Sequence, residues 1–222
     1  MNRRFALMGA ATAIAVGGFA FKSGTGSPIG NLLVGEANAQ DAANVDTSTI
    51  VEMVQGAEDA PVTIIEYSSF TCPHCAAFHE GAYQDIKKNY IDTGKVKLIY
   101  REVYFDRYGL WASMVARCGG AEKFFGISEL MFKSQSDWAR AGDGNAIVAE
   151  LRKIGKMAGL EDATLDACMQ DGEKAQTLVA WFQKNAEADE VNSTPSFIVN
   201  GKKVANQPYA DFAALIDAEL GG

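Results

Sequence analysis

The sequence predicts an α/β fold interrupted by a long helical insertion. Three observations carry that prediction. A strand-like run from Pro61 to Phe70 is followed by a helix-like run from Pro73 and a second strand-like run from Val96. Between Phe105 and Ser196 there is no strand candidate, only helical spacing. The chain then closes with a hairpin signal at Asn200-Gly201 and an amphipathic helix.

Each element has its own reason. Arg3 and Arg4 precede an uncharged apolar run, Phe5 to Phe21, and Ala37-x-Ala39 is a small-residue cleavage pattern. Residues 1–39 therefore read as an export signal with the mature start near Gln40. The run is short for a spanning helix, although uncleaved it would serve as a membrane anchor. The paired arginines also suit a twin-arginine signal. Either route delivers the folded part across a membrane, where disulfides persist. Ile50 to Val54 reads as a short edge strand. In Pro61 to Phe70, Val62, Ile64, Ile65 and Tyr67 place apolar groups on both faces, as in a central strand covered on both sides. Glu66 is the exception within it.

From Pro73 to about Thr93, Cys75, Phe78, Ala82, Ile86 and Tyr90 recur at helical steps and mark one buried face. Gly94 is a natural stop. Val96, Leu98 and Tyr100 alternate with Lys97 and Arg101, giving strand, helix, strand and hence a parallel unit. Four helical stretches follow. Tyr108, Trp111, Val115 and Cys118 mark the first, Phe124 to Phe132 the second, Ile147, Leu151 and Ile154 the third, and Leu165, Cys168 and Met169 the fourth. Ala175, Leu178, Phe182 and Ala186 form another face. Asn200-Gly201 between short apolar runs is a strong two-residue hairpin signal. Pro195 stands where a strand tolerates proline, at its start. Phe212, Leu215, Ile216 and Leu220 mark the last helix.

Composition narrows the function. The chain has 222 residues, is 48% hydrophobic and 22% charged, and carries a net charge of −8. That suits a packed globular domain. It does not suit a nucleic-acid binder, because nothing neutralises phosphates.

The chemistry lies in Cys72-Pro73-His74-Cys75, at the junction of strand and helix. Two thiols three apart can close into a disulfide. Disulfide exchange needs a thiolate, and Cys72 at a helix N-terminus sits where backbone N–H groups and the helix dipole favour one. A protonated His74 would add to this. Cys75, one turn in on the apolar face, is the less accessible partner. Cys72 is then the nucleophile and Cys75 the resolving thiol. Zinc would need two more ligands, and Cys118 and Cys168 form no second Cys-x-x-Cys, so no metal site is expected. The dithiol is its own redox centre and needs no cofactor.

These residues carry a resemblance. Phe70-Thr71-Cys72-Pro73-His74-Cys75 after a strand, the helical insertion, and Thr194-Pro195 before a hairpin and final helix resemble the DsbA family. The resemblance spans about residues 50–220. It implies a thioredoxin fold split by an insertion: 40–107 the first part, 108–171 the helical insertion domain, 172–222 the second part. It implies that Pro195 is a cis-proline opposite Cys72, with Thr194 pairing to an extended substrate peptide. It implies that Glu66 is a buried acid beneath the disulfide, relaying the Cys75 proton. The family's best-known member has an acid where this chain has His79. Its most oxidising members carry valine where this chain has Thr194.

Cys118 and Cys168 read as a structural disulfide in an oxidising compartment, with two buried free thiols as the alternative. The function implied is a periplasmic, monomeric oxidase that donates disulfides to newly exported proteins and is reoxidised by a DsbB-type membrane quinone reductase. Two other readings remain open. One is an isomerase or reductase of the DsbC, DsbG or ScsC type. The other is a non-catalytic peptide-binding chaperone.

Overall fold

The computed structural model describes residues 45–221. The expected export signal, its cleavage site and residues 40–44 lie outside them. Among the described residues, no helix is long and apolar enough to cross a membrane.

A five-stranded sheet forms the centre. Its strands are β1 (Met53–Gln55), β2 (Val62–Ser68), β3 (Val96–Glu102), β4 (Ser196–Val199) and β5 (Lys202–Ala205), in the spatial order β1-β3-β2-β4-β5. β2 and β3 are parallel, and the other pairs are antiparallel. β2 is thus the middle strand, which is why it is apolar on both faces. β1 is the edge strand that the sequence places slightly earlier. The β4–β5 hairpin turns at Asn200 (φ 44°) and Gly201 (φ 80°), the positive pair that a two-residue turn requires.

The β2–β3 crossover differs from the single helix read from the sequence. It is α1 (Pro73–Glu80), a break at Gly81, then α2 (Ala82–Ile86) running into a π-helical turn over Lys87–Ile91. Gly81 takes φ −114° and ψ −105°, and its N–H serves the carbonyls of Ala77 and Phe78. A helical mid-position with no side chain is the cheapest place to bend. The bend keeps both halves on the core. Phe78, Tyr83, Ile86 and Tyr90 all pack with Val62, Ile64, Leu98 and Phe197. The last helix, α9 (Tyr209–Glu219), adds Phe212 and Ile216 to this cluster.

Between β3 and β4 the described chain is helical, as expected: α3 (Arg107–Cys118), α4 (Gly120–Lys133), α5 (Gln135–Trp138), α6 (Gly144–Met157), α7 (Asp162–Met169) and α8 (Gly172–Ala188). Asp106, Asp143 and Asp171 cap α3, α6 and α8 with side-chain oxygens that accept backbone N–H bonds. Phe182 of α8 covers the second face of the sheet, with Tyr67 and Ile198. Arg117 of α3 ties the helices to β3. Its guanidinium forks onto Glu102 at 2.5 and 2.7 Å, and Ser113 donates to the same carboxylate at 2.8 Å.

α3 and α7 are also joined covalently. Cys118 and Cys168 are disulfide-bonded, with their Cα atoms 5.8 Å apart. Both are half-buried at the rim of the helical layer rather than on its apolar faces, where sequence periodicity puts them.

Candidate active site

Cys72 is the N-cap of α1, with extended backbone (φ −86°, ψ 118°), and Pro73 follows it. Proline at the first helical position lacks an N–H that would have no partner there, so the helix begins without loss. The Cys72 carbonyl accepts the N–H groups of Cys75 and Ala76 at 3.1 and 3.2 Å. The loop before it is held from the helical side. Gln135 donates to the carbonyls of Phe70 and Cys72 at 2.8 and 2.9 Å. Thr71 donates to Asp106 at 2.7 Å, and Phe70 is buried between Tyr100 and Phe132. The fold thereby sets the position of Cys72 from both ends.

The two thiols are not bonded to each other, and they have opposite characters. Cys72 is partly exposed, and its pKa is lowered to about 5. The main cause is a hydrogen bond from the Cys75 thiol. Partial burial opposes it, and donors from Thr194 and from the backbone N–H groups of Cys75 and His74 add to it. Cys75 is fully buried, and burial first, then the neighbouring Cys72, raises its pKa far above the ordinary thiol range. The site therefore stabilises one negative charge, on Cys72. His74 presents its backbone N–H to that charge, while its side chain is exposed.

Thr194 and Pro195 lie beside Cys72. The Thr194–Pro195 bond is cis, and the Cys72 sulfur lies 3.5 Å from the Thr194 carbonyl oxygen. The loop leading to them is anchored at Asp189, which accepts from Tyr67 at 2.5 Å and from Arg101 at 3.1 Å. Arg101 also reaches Glu52 at 2.8 Å.

Beneath Cys75 lies a buried polar compartment. Glu66 is fully buried on β2, opposite Tyr100 of β3, with Ser68 two residues on along the same face. Glu66 Oε1 is 2.8 Å from His79 Nε2. Glu66 Oε2, the Ser68 hydroxyl and the Tyr100 hydroxyl are buried without a hydrogen-bond partner. The Tyr100 hydroxyl is pushed well up by burial, then by the charges of Glu66 and Cys75.

The sequence profile of the family described as thioredoxin matches residues 48–218. The chain is a DsbA-like member of the thioredoxin family. The crystal structure of Wolbachia pipientis alpha-DsbA1 superposes with a TM-score of 0.70 at 26% identity, over 77% of this chain and 91% of that one. The disulfide bond formation protein D of Bacillus subtilis is 26% identical over 82% of this chain and 83% of its own length. A Rickettsia bellii protein, provisionally designated a protein-disulfide oxidoreductase, is 32% identical over 76% of this chain. This chain spans 64% of that relative's length.

The structure places Thr194 and Pro195 beside Cys72, buries Cys75 one helical turn in and Glu66 on β2, leaves the His74 side chain exposed, and bonds Cys118 to Cys168 away from them. It adds two residues that give no signal in the sequence, Gln135 and Asp106, because they reach the loop only through the packing of α3 and α5. His79, which the sequence marks as a departure from the family's acid, stands four residues after Cys75, on the same helical face, and meets Glu66.

Proposed function

We propose that this protein is a periplasmic thiol:disulfide oxidase that passes a Cys72–Cys75 disulfide to newly exported proteins. The observation that carries this reading is the contrast between the two thiols. One is lowered to about 5 at a partly exposed helix N-cap, and the other is raised and buried directly behind it.

The chemistry follows from that contrast. A substrate thiolate attacks the Cys72 sulfur of the disulfide, and the electrons of the broken S–S bond pass to Cys75. Burial opposes negative charge there, so Cys75 takes a proton, and Glu66 lies in the same compartment as its donor. A second substrate thiolate then attacks its partner sulfur, and Cys72 departs as a thiolate. A low-pKa thiol is the better leaving group, so substrate is released oxidised. Thr194, beside the reacting sulfur, and Pro195, with no N–H of its own, favour pairing of an extended peptide along this loop.

Linkage supports the oxidase direction. The depressed Cys72 pKa stabilises the reduced fold. That contribution is fully present above the ordinary thiol value of 9.0 and is lost as the pH falls through about 5. Near neutral pH the reduced protein is favoured and the disulfide is a strong oxidant. A membrane quinone reductase of the DsbB type would restore it.

The test is the equilibrium of the mature protein with a glutathione buffer, run beside a Cys118→Ala/Cys168→Ala control. An oxidase gives a potential near that of DsbA, about −120 mV. A value near that of thioredoxin, about −270 mV, would move the assignment to a reductase or isomerase.

A further inference from the structure

The contact between Glu66 and His79 has two sides. Inward, His79 Nε2 meets Glu66 Oε1 at 2.8 Å, and both side chains are buried, at 5% and 0% exposure. Outward, His79 borders a cavity of about 340 Å³ whose other walls are Glu80, Gln84, Glu129, Phe132 and Lys133. The ring is fixed between these two sides. It stacks on Phe132 at 4.1 Å with only 14° between the planes, and Gln84 donates to the His79 carbonyl at 2.9 Å. No hydrogen bond joins Nδ1 to the described residues, so this nitrogen remains free to take or give a proton. The cavity lies at the C-terminal end of α1, whereas Cys72 stands before its N-terminus.

A purely structural pair would satisfy both carboxylate oxygens, since an unpaired buried oxygen costs about 1–3 kcal/mol. Here Oε2 is left unpartnered, on a residue that pairs across the sheet with Tyr100, whose hydroxyl is also buried and unpartnered.

We propose that His79 carries the Cys75 proton between Glu66 and solvent, through the cavity between α1, α2 and α4. The proposal rests on the disulfide-exchange reading above and supplies the outer half of its proton path. When the disulfide is discharged, the S–S bond breaks and Cys75 takes a proton from Glu66. Glu66 takes one from His79 Nε2, and His79 takes one at Nδ1 from the cavity. When a disulfide-bearing oxidant recharges the site, the Cys72 thiolate attacks that disulfide. Cys75 returns its proton to Glu66, which passes it to Nε2 while Nδ1 releases one. The Cys75 thiolate then closes on Cys72 and expels the oxidant's thiolate. The two half-reactions drive the ring in opposite directions, so it regains its starting tautomer without turning in its packed site. Substrate and proton thus use separate doors at the two ends of α1.

The ionisable groups facing His79 are Glu66 from β2, its neighbour Glu80, Tyr83 from α2, Tyr100 from β3, and Glu129 and Lys133 from α4. Tyr83 and Tyr100 are both raised, chiefly by burial, and stay neutral through the working range.

The test compares the wild-type chain with His79→Gln and His79→Ala. Glutamine keeps an N–H for Glu66 but has no titrating nitrogen, and alanine opens the cavity to Glu66. Stopped-flow fluorescence follows reduction of the oxidised protein by an unstructured thiol peptide from pH 5 to 8. The expected result is a loss of roughly tenfold or more in both variants, recovered in His79→Ala by added imidazole. The midpoint of Cys72 alkylation should stay near pH 5 throughout, which also reports an intact fold. Wild-type rates in His79→Gln would overturn the proposal, as would a loss in both variants that imidazole does not restore. Failure of the wild-type protein to exchange disulfides would instead overturn the oxidoreductase reading, and the role of His79 with it.

Discussion

Cys72 and Cys75 carry the same side chain three residues apart, yet the fold pushes them in opposite directions. The difference is one helical turn. At the N-cap, Cys72 meets the Cys75 thiol as a donor, together with the backbone N–H groups of Cys75 and His74. One turn in, Cys75 meets the core, and burial there disfavours a charge. Alkylation of the reduced protein by iodoacetamide should therefore modify Cys72 alone. Its rate should be high above pH 5 and fall away below it, because the thiolate is lost as the pH passes the folded pKa. In Cys75→Ala the largest stabilising donor is gone, so the midpoint should move up. A midpoint near 8.5 in the wild-type protein, the ordinary value for a free thiol, would remove the basis for the proposed chemistry.

At the scale of elements, two junctions decide how the site is held. One is α1, whose break at Gly81 turns the chain so that Phe78 before it and Tyr83 after it share one core cluster. The other is the clamp between β3 and α3, where Arg117 grips the buried carboxylate of Glu102. Arg117 itself is 5% exposed, so neither charge has water as an alternative partner. Arg117→Met leaves Glu102 charged in the core and should destabilise the protein by about 3–5 kcal/mol in urea unfolding. The double variant Arg117→Met/Glu102→Leu should cost clearly less, because it removes the stranded charge along with its partner. Equal losses in the two variants would mean that packing rather than charge holds this junction.

For the molecule as a whole, the helical layer is tethered to itself by the Cys118–Cys168 bond, which closes a loop of 50 residues. Restricting the unfolded chain over that length is worth about 4 kcal/mol. Cys118→Ala/Cys168→Ala should lose about that much in chemical denaturation, with a matching fall in Tm. The bond lies in the α3–α7 layer, and neither cysteine contributes to the Cys72 charge, so the pH midpoint of Cys72 should not move. A shifted midpoint would mean that the helical layer transmits its state to the active-site loop.

The sequence by itself determined what local chemistry can encode. Alternation in β2 and β3, the Asn200-Gly201 turn, the helical spacing between Arg107 and Ala188 and the placing of Cys72 before a helix are all set by residues within a few positions of one another. Glu66 was legible too, because a carboxylate in a doubly covered strand breaks the pattern. The tertiary structure decided everything that depends on distant chain segments. Gln135 reaches the Cys72 loop from 63 residues away, Asp189 is held by Tyr67 from 122, and His79 meets Glu66 through the packing of α1 on β2. Which thiol takes the charge is written in the order of four residues. Where its partner's proton goes depends on the packing of a strand against two helices, and no periodicity in the chain records that.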